Sequence, residues 1–193
     1  WQLPPRTFQA SVFFLACPNN PTGVAYPAVA VRRLAERFRG ILVIDEAYLQ
    51  YAASEMRPRL AQAIGTCSAR LILLRTFSKF FGLSGFRMGY AVGRPDVVRA
   101  LARAEIPFGV SAQTAAVVPA VLRDTAFRYR VYDANAQGRT VLRDGLTALG
   151  LASAGYGVFV VGDAAGSRPG RQDDRRWALE RMSDAGCIVA GTE

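Results

Sequence analysis

Residues 71–93 read LILLRTFSKFFGLSGFRMGYAVG. A short apolar run, 71–74, is followed at once by the polar RTFSK, and a second strand-like run returns at 88–92. The same order occurs twice upstream: VFFLAC (12–17) leads into PNNPTG (18–23), and ILVI (41–44) leads into DEAY (45–48). Further strands are expected at 158–161 and 187–190. Helical period marks 27–38, 55–64, 95–104, 112–122, 125–149 and 174–185, with Pro27 and Pro95 where a first turn tolerates proline. Short apolar runs alternating with longer helical segments predict an α/β fold of three layers, α/β/α, around a mostly parallel sheet.

The segment 125–149 is long for a globular helix and precedes a glycine-rich break at Gly155 and Gly157. The expected division is therefore residues 1–125 as part of one large domain, and 126–193 as an interdomain helix with part of a small α+β domain. The stretch 162–170 reads as a surface loop of the second part. Trp1 at one end and a small apolar segment at the other read as cuts from a longer chain.

Composition narrows the chemistry. The chain has 193 residues, 24 basic against 15 acidic, a net charge of +9 and no histidine. Without histidine, Ser-His-Asp hydrolases, Cys-His proteases and most zinc enzymes are disfavoured, and no metal site is expected. At 51% hydrophobic and 20% charged, the chain is globular. Three widely separated cysteines, Cys17, Cys67 and Cys187, form no CxxC pair and support neither a disulfide framework nor a metal knuckle, which fits a reducing cytoplasm. No apolar run approaches the roughly 18 residues of a spanning helix, so no membrane partner is expected. The arginines alternate with acids, as in RRLAERFRG and RQDDRRWALERM, and resemble solvated helical faces more than a nucleic-acid surface.

Among the 24 basic residues only Lys79 is a lysine. Arginine stays protonated, whereas an amine can lose its proton and add to an aldehyde as a Schiff base. The alternative is a surface lysine left by chance. Asp45 ends the run ILVID and is expected at a partly buried strand end, where a carboxylate needs a cationic partner or else caps the segment that follows. A magnesium-binding carboxylate of a P-loop enzyme is excluded, because the lysine follows TFS and no GxxxxGK[ST] exists. PNNPTG alone is turn chemistry. Arg87 with the hydroxyls of Thr76 and Ser78 could form a phosphate pocket. The three polar clusters follow the ends of three strands, the edge at which open α/β sheets bind ligands. A Schiff-base lysine, a strand-end carboxylate, the phenol of Tyr48, the amide of Asn20, and hydroxyls with an arginine are the groups that pyridoxal phosphate requires.

The motifs CPNNPTG (17–23), VIDEAYLQY (43–51), RTFSKFFGLSGFRMGYAVG (75–93) and, more loosely, PFGVSAQTAA (107–116) resemble those of the fold-type I pyridoxal-phosphate aminotransferases of class I/II, most closely the histidinol-phosphate aminotransferase group. Order and spacing agree to about residue 150. The resemblance implies an incomplete fold-type I large domain with pyridoxal 5'-phosphate as cofactor. By it, Lys79 holds the cofactor and shuttles the proton, Asp45 pairs with the pyridine nitrogen, Tyr48 and Asn20 hydrogen-bond the phenolic oxygen, and Thr76, Ser78 and Arg87 bind the phosphate. It also implies amino transfer from an amino acid or amino alcohol phosphate to a 2-oxo acid such as 2-oxoglutarate, in amino-acid biosynthesis, by a cytoplasmic homodimer.

Departures from the family pattern fall on the substrate side. The chain lacks the N-terminal part with the glycine-containing phosphate loop and the C-terminal arginine that grips the substrate carboxylate. Gly157 and Ala190 stand where the pattern often has Asn and Arg. A decarboxylase of the threonine-phosphate type and a non-catalytic truncated remnant are the competing readings, and Arg75 is open to either a catalytic or a structural part.

Overall fold

A computed structural model of the chain describes residues 2–20, 22–148, 151–154 and 161–164. Its main sheet has four strands in the order β1 (Val12–Ala16), β2 (Ile41–Asp45), β3 (Arg70–Thr76) and β4 (Gly89–Gly93). The first three are parallel and in register, with Ala16 level with Asp45 and Asp45 level with Leu74. The fourth runs antiparallel to β3, pairing Arg75 with Tyr90 and Thr76 with Gly89. The expected mostly parallel α/β sheet is therefore present.

Leu15, Leu42, Ile44, Leu71 and Leu73 point to one face of the sheet, as alternation along a strand requires, and form its core with α1 (Ala28–Arg37). That helix buries Val31, Leu34 and Ala35 and leaves Arg32, Arg33 and Glu36 exposed, which is the i, i+3, i+4 stripe of an amphipathic surface helix. On β4, a Cβ added at Gly93 would lie 3.7 Å from Val98 of α2 (Pro95–Ala102), so this helix lies against the antiparallel edge strand. A second apolar cluster joins Tyr48, Tyr51, Phe77, Phe80, Phe81 and Leu83 to α3 (Ala112–Arg123), through Val118, and to α4 (Thr125–Ala148), through Val131 and Tyr132.

The start of α4 is set by Asp124, whose side chain accepts the Phe127 N–H at 2.8 Å and satisfies one of the unpaired first-turn donors. A separate antiparallel pair, β5 (Leu151–Ala154) with β6 (Val161–Ala164), follows it.

Three expectations are corrected. The helix expected over 55–64 is two short 3-10 turns, Ser54–Met56 and Leu60–Ala63. Pro58 disfavours the α region for the residue before it, and Arg57 is extended at ψ 107 while Arg59 turns left-handed at φ 49. The strand expected over 88–92 is shifted by one residue to Gly89–Gly93, following the 3-10 turn Ser84–Phe86 that Arg87 ends with φ 50. Residues 162–164, expected in a loop, belong to β6, which begins at the last residue of the run expected over 158–161 and pairs back to β5. The helix expected over 174–185, the strand over 187–190, and Gly155, Gly157 and Ala190 lie outside the described residues.

Burial pushes the Cys17 thiol above its ordinary pKa, a backbone hydrogen bond at Tyr26 opposes this, and the nearby Glu46 charge adds to it. Cys17 is fully buried and Cys67 half-buried. Iodoacetamide at neutral pH is expected to alkylate Cys67 well before Cys17 in the native chain and both alike in denaturant, as read by peptide mass mapping. Truncating Ile44 to alanine is expected to cost about 2–5 kcal/mol, measured by urea denaturation, because no neighbour can collapse into the gap inside a parallel sheet.

Candidate active site

Parallel register brings the ends of β1, β2 and β3 to one edge. The ladder continues one residue past the strands: Cys17 N–H donates to Asp45 O at 3.0 Å, and Glu46 N–H donates to Leu74 O at 2.9 Å. The loops carrying Asn20, Asp45 and Lys79 therefore leave the sheet side by side.

In the first loop Asn19 and Asn20 divide the work. The Asn19 side-chain oxygen accepts the Thr22 hydroxyl at 2.7 Å, and its backbone pairs with Val24 and Gly23, so Asn19 builds the turn. Asn20 is exposed on that turn. In the third loop the Thr76 hydroxyl accepts the Ser78 N–H at 3.0 Å and donates to Met88 O at 3.3 Å. Phe77 N–H donates to Met88 O and Gly82 N–H to Lys79 O, both at 3.0 Å, which ties the lysine turn to the approach of β4. Gly82 makes that turn at φ 68. At Gly89, opposite Thr76, a Cβ would lie 2.8 Å from Arg75 O, so the approach of β4 admits no side chain there.

Lys79 is exposed, with Nζ 5.6 Å from the centroid of the Tyr48 ring, within reach of a cation–π attraction. Tyr48 is buried, packed on Tyr51 and, through its cluster, on Phe77 and Phe80. The structure thus brings together Lys79 and Tyr48, with Asp45 three residues before Tyr48 at the end of β2. Arg87 and Asn20 stand outside that contact. The exposed Arg87 guanidinium donates to Ser84 O at 2.9 Å.

The expectation for Asp45 is corrected. Its carboxylate is exposed and accepts the Ala47 N–H at 2.9 Å, so it caps the turn that follows the strand. The buried carboxylate is its neighbour Glu46, which is 1% exposed and paired with Arg75 at 2.6 Å, Nε to Oε2. The strand alternation explains the exchange: Leu42, Ile44 and Glu46 share the core-facing side, and Asp45 faces the other. Burial pushes the Glu46 carboxyl above its ordinary pKa, against the hydrogen bond and charge of Arg75, and the Asp45 charge pushes the same way as burial. Burial works against the Arg75 charge too, but Glu46 and then Tyr90 outweigh it and raise its pKa. Glu46 and Tyr90 were missed as site neighbours. The sequence carries no signal that separates the two acids, because Leu42, Val43 and Ile44 before them are all apolar and all buried.

A cavity of about 380 Å³ lies beside this cluster, between Phe80, Phe81, Gln50 and Arg57 on one side and Arg128 and Tyr132 of α4 on the other. Neither Lys79 nor Asp45 lines it. Among the described residues there is no group of three or more acidic or cysteine side chains placed to hold a metal, and no helix long and apolar enough to cross a membrane.

A lysine on the turn after β3, a carboxylate at the end of β2 and an asparagine turn after β1 thus share the carboxyl edge of an α/β sheet, the edge at which open sheets of this kind bind ligands. Residues 2–179 match the aminotransferase class I and II family, and the chain belongs to that family. It is 41% identical over 160 residues to histidinol-phosphate aminotransferase 1 of Thiobacillus denitrificans, a match covering 80% of this chain and 41% of that protein. Histidinol-phosphate aminotransferase 1 of Cupriavidus pinatubonensis is 37% identical over 163 residues, covering 81% of this chain and 43% of that protein. The crystal structure of histidinol-phosphate aminotransferase from Sinorhizobium meliloti in complex with pyridoxal-5'-phosphate superposes with a TM-score of 0.80 at 29% identity, over 95% of this chain and 50% of that one. The chain thus spans about two fifths of the length of these curated relatives.

Removing the Arg75 side chain would leave the Glu46 carboxylate buried and unpaired. Arg75→Ala is expected to lower stability by about 3 kcal/mol in urea denaturation, and Arg75→Ala/Glu46→Leu to recover much of that loss.

Proposed function

We propose that this chain carries the cofactor-anchoring part of a pyridoxal-phosphate-dependent aminotransferase acting on a histidinol-phosphate-like amino donor and a 2-oxo acid such as 2-oxoglutarate. The observation that carries the reading is the chain's sole lysine, exposed on the turn after β3 with its amine 5.6 Å from the Tyr48 ring. The donor set fits the cofactor: an amine that can add to an aldehyde, an exposed carboxylate at a strand end, a phenol beside the amine, and two hydroxyls with an arginine for a phosphate. Likeness to histidinol-phosphate aminotransferases supports the choice of substrate class over the decarboxylase reading.

Pyridoxal phosphate, when bound, supplies an aldehyde for amines and a ring that withdraws electrons from the bond being broken. The rest of the chemistry falls to the chain's own groups. Lys79 Nζ is the group that would hold the cofactor through its aldehyde, with loss of water, and, as a free amine, would take up and return the substrate α-proton. The Asp45 carboxylate would accept the pyridinium N–H and hold that proton in place, which would sustain the electron demand of the ring. Tyr48 and Asn20 would donate to the cofactor's phenolic oxygen. The Ser78 hydroxyl and the free N–H groups of the Arg87 guanidinium would hold the phosphate, joined by the Thr76 hydroxyl once its proton turns away from Met88 O.

The same reading makes the working unit a cytoplasmic homodimer in amino-acid biosynthesis, with residues 1–125 belonging to the cofactor domain and 126–193 opening a second. Sedimentation of the whole protein tests the dimer.

Borohydride reduction after mixing the purified chain with pyridoxal phosphate is expected to add the cofactor mass at Lys79, located by peptide mapping. In the whole protein, Lys79→Arg is expected to abolish turnover, and Asp45→Asn to reduce it by about two orders of magnitude or more. Wild-type turnover in Lys79→Arg would overturn the assignment. Carbon dioxide release from labelled donor, without a new amino acid, would point to decarboxylation.

A further inference from the structure

A polar row crosses the sheet directly behind the candidate site. Register and ladder place Cys17 level with Glu46, Glu46 level with Arg75, and Arg75 level with Tyr90, one residue from each of four consecutive strands or their ends. All four lie on one face, continuing the column of Leu42 and Ile44 on β2 and of Leu71 and Leu73 on β3. The opposite face carries Asp45 on β2 and Thr76 on β3. The row and the site are thus two sides of the same strand ends.

The centre of the row is a short ion pair, Arg75 Nε to Glu46 Oε2 at 2.6 Å, with Glu46 1% exposed. The second Glu46 oxygen, Oε1, is buried without a hydrogen-bond partner, so the carboxylate is held on one side only, by the strand that carries Thr76. Such a contact is directional, and in a water-poor setting it is strong. It adds a side-chain tie to the Glu46 N–H to Leu74 O backbone bond between the same two strands.

We propose that Glu46 and Arg75 are positioning residues for cofactor binding: their buried ion pair sets the separation of the β2 and β3 ends, and with it the distance between the Asp45 carboxylate and the Thr76–Lys79 turn. Neither side chain touches the cofactor. The inference rests on the pyridoxal phosphate reading and adds to it a second pair of acidic and basic groups, behind the pair that would meet the ligand. Loosening the tie lets one strand end shift relative to the other, and a ligand gripped by both then loses one grip.

The test compares Glu46→Gln and Arg75→Lys, which keep hydrogen-bonding ability and nearly the same volume, with Leu34→Ala in α1, which removes core volume and no partner of the Glu46–Arg75 pair. For each purified chain three quantities are read: the melting temperature, the affinity for pyridoxal phosphate by titration of its visible absorption band, and the share of borohydride-fixed cofactor at Lys79. Glu46→Gln and Arg75→Lys are expected to weaken cofactor affinity roughly 10-fold or more, the scale on which outer partners orient binding groups, and to shift the band. Leu34→Ala is expected to lower the melting temperature with affinity and band unchanged. Unaltered affinity and band in both row variants would overturn the inference while leaving the cofactor reading intact. So would an affinity loss that follows melting temperature alike in all three variants. Failure of the unsubstituted chain to fix cofactor at Lys79 would overturn both.

Discussion

Three parallel strands held in register are the constraint on which the rest of this structure depends. A parallel ladder has evenly spaced hydrogen bonds, and here it runs past the strands themselves, from Cys17 to Asp45 and from Glu46 to Leu74. Each loop therefore leaves the sheet from a fixed height. Asn20, Asp45 and Lys79, far apart in the chain, are delivered to one edge by backbone geometry before any side chain contributes. The antiparallel β4 adds a clamp from the other side, where Phe77 and Thr76 bond to Met88 O and the bare Gly89 lets the strands close.

The two faces of these strand ends are used for different purposes. One carries Asp45 and Thr76, with Lys79 exposed on the turn that follows. The other carries Leu42, Ile44, Leu71 and Leu73, and then, at its upper limit, Glu46 and Arg75. A charge at the edge of an apolar core is costly unless paired, and the pair here comes from adjacent strands, so satisfying it also joins them. Aromatic packing does a related job beneath the lysine. Tyr48, Tyr51, Phe77, Phe80 and Phe81 form a nearly continuous set of ring contacts under the turn, which limits how Lys79 can sit over Tyr48.

Family membership and the cofactor-side residues draw on different observations. Membership follows from the match over residues 2–179 and the likeness to histidinol-phosphate aminotransferases. What the chain does with its lysine is a chemical argument from one amine, one carboxylate and their neighbours. The cavity lined by Arg57 and Arg128 lies next to that cluster, and neither Lys79 nor Asp45 lines it.

The order of elements through α4, the parallel edge and the lysine, phenol and asparagine clusters were all legible in the sequence, because apolar runs and the polar groups that follow them are local features. The break at Pro58 is equally local: helical period in 55–64 predicts a helix, and the backbone follows the proline instead. Which of two adjacent acids goes inward was decided only by the tertiary structure. ILVIDE places Asp45 and Glu46 one residue apart, and one residue is the difference between the two faces of a strand. Only the packing of Leu42 and Ile44 against α1 settles which face is the core, and only the neighbouring strand, 29 residues on in sequence, brings Arg75 to meet the buried Glu46. Spacing along the chain determines what a loop carries; pairing between distant strands determines which of its charges is buried and with what.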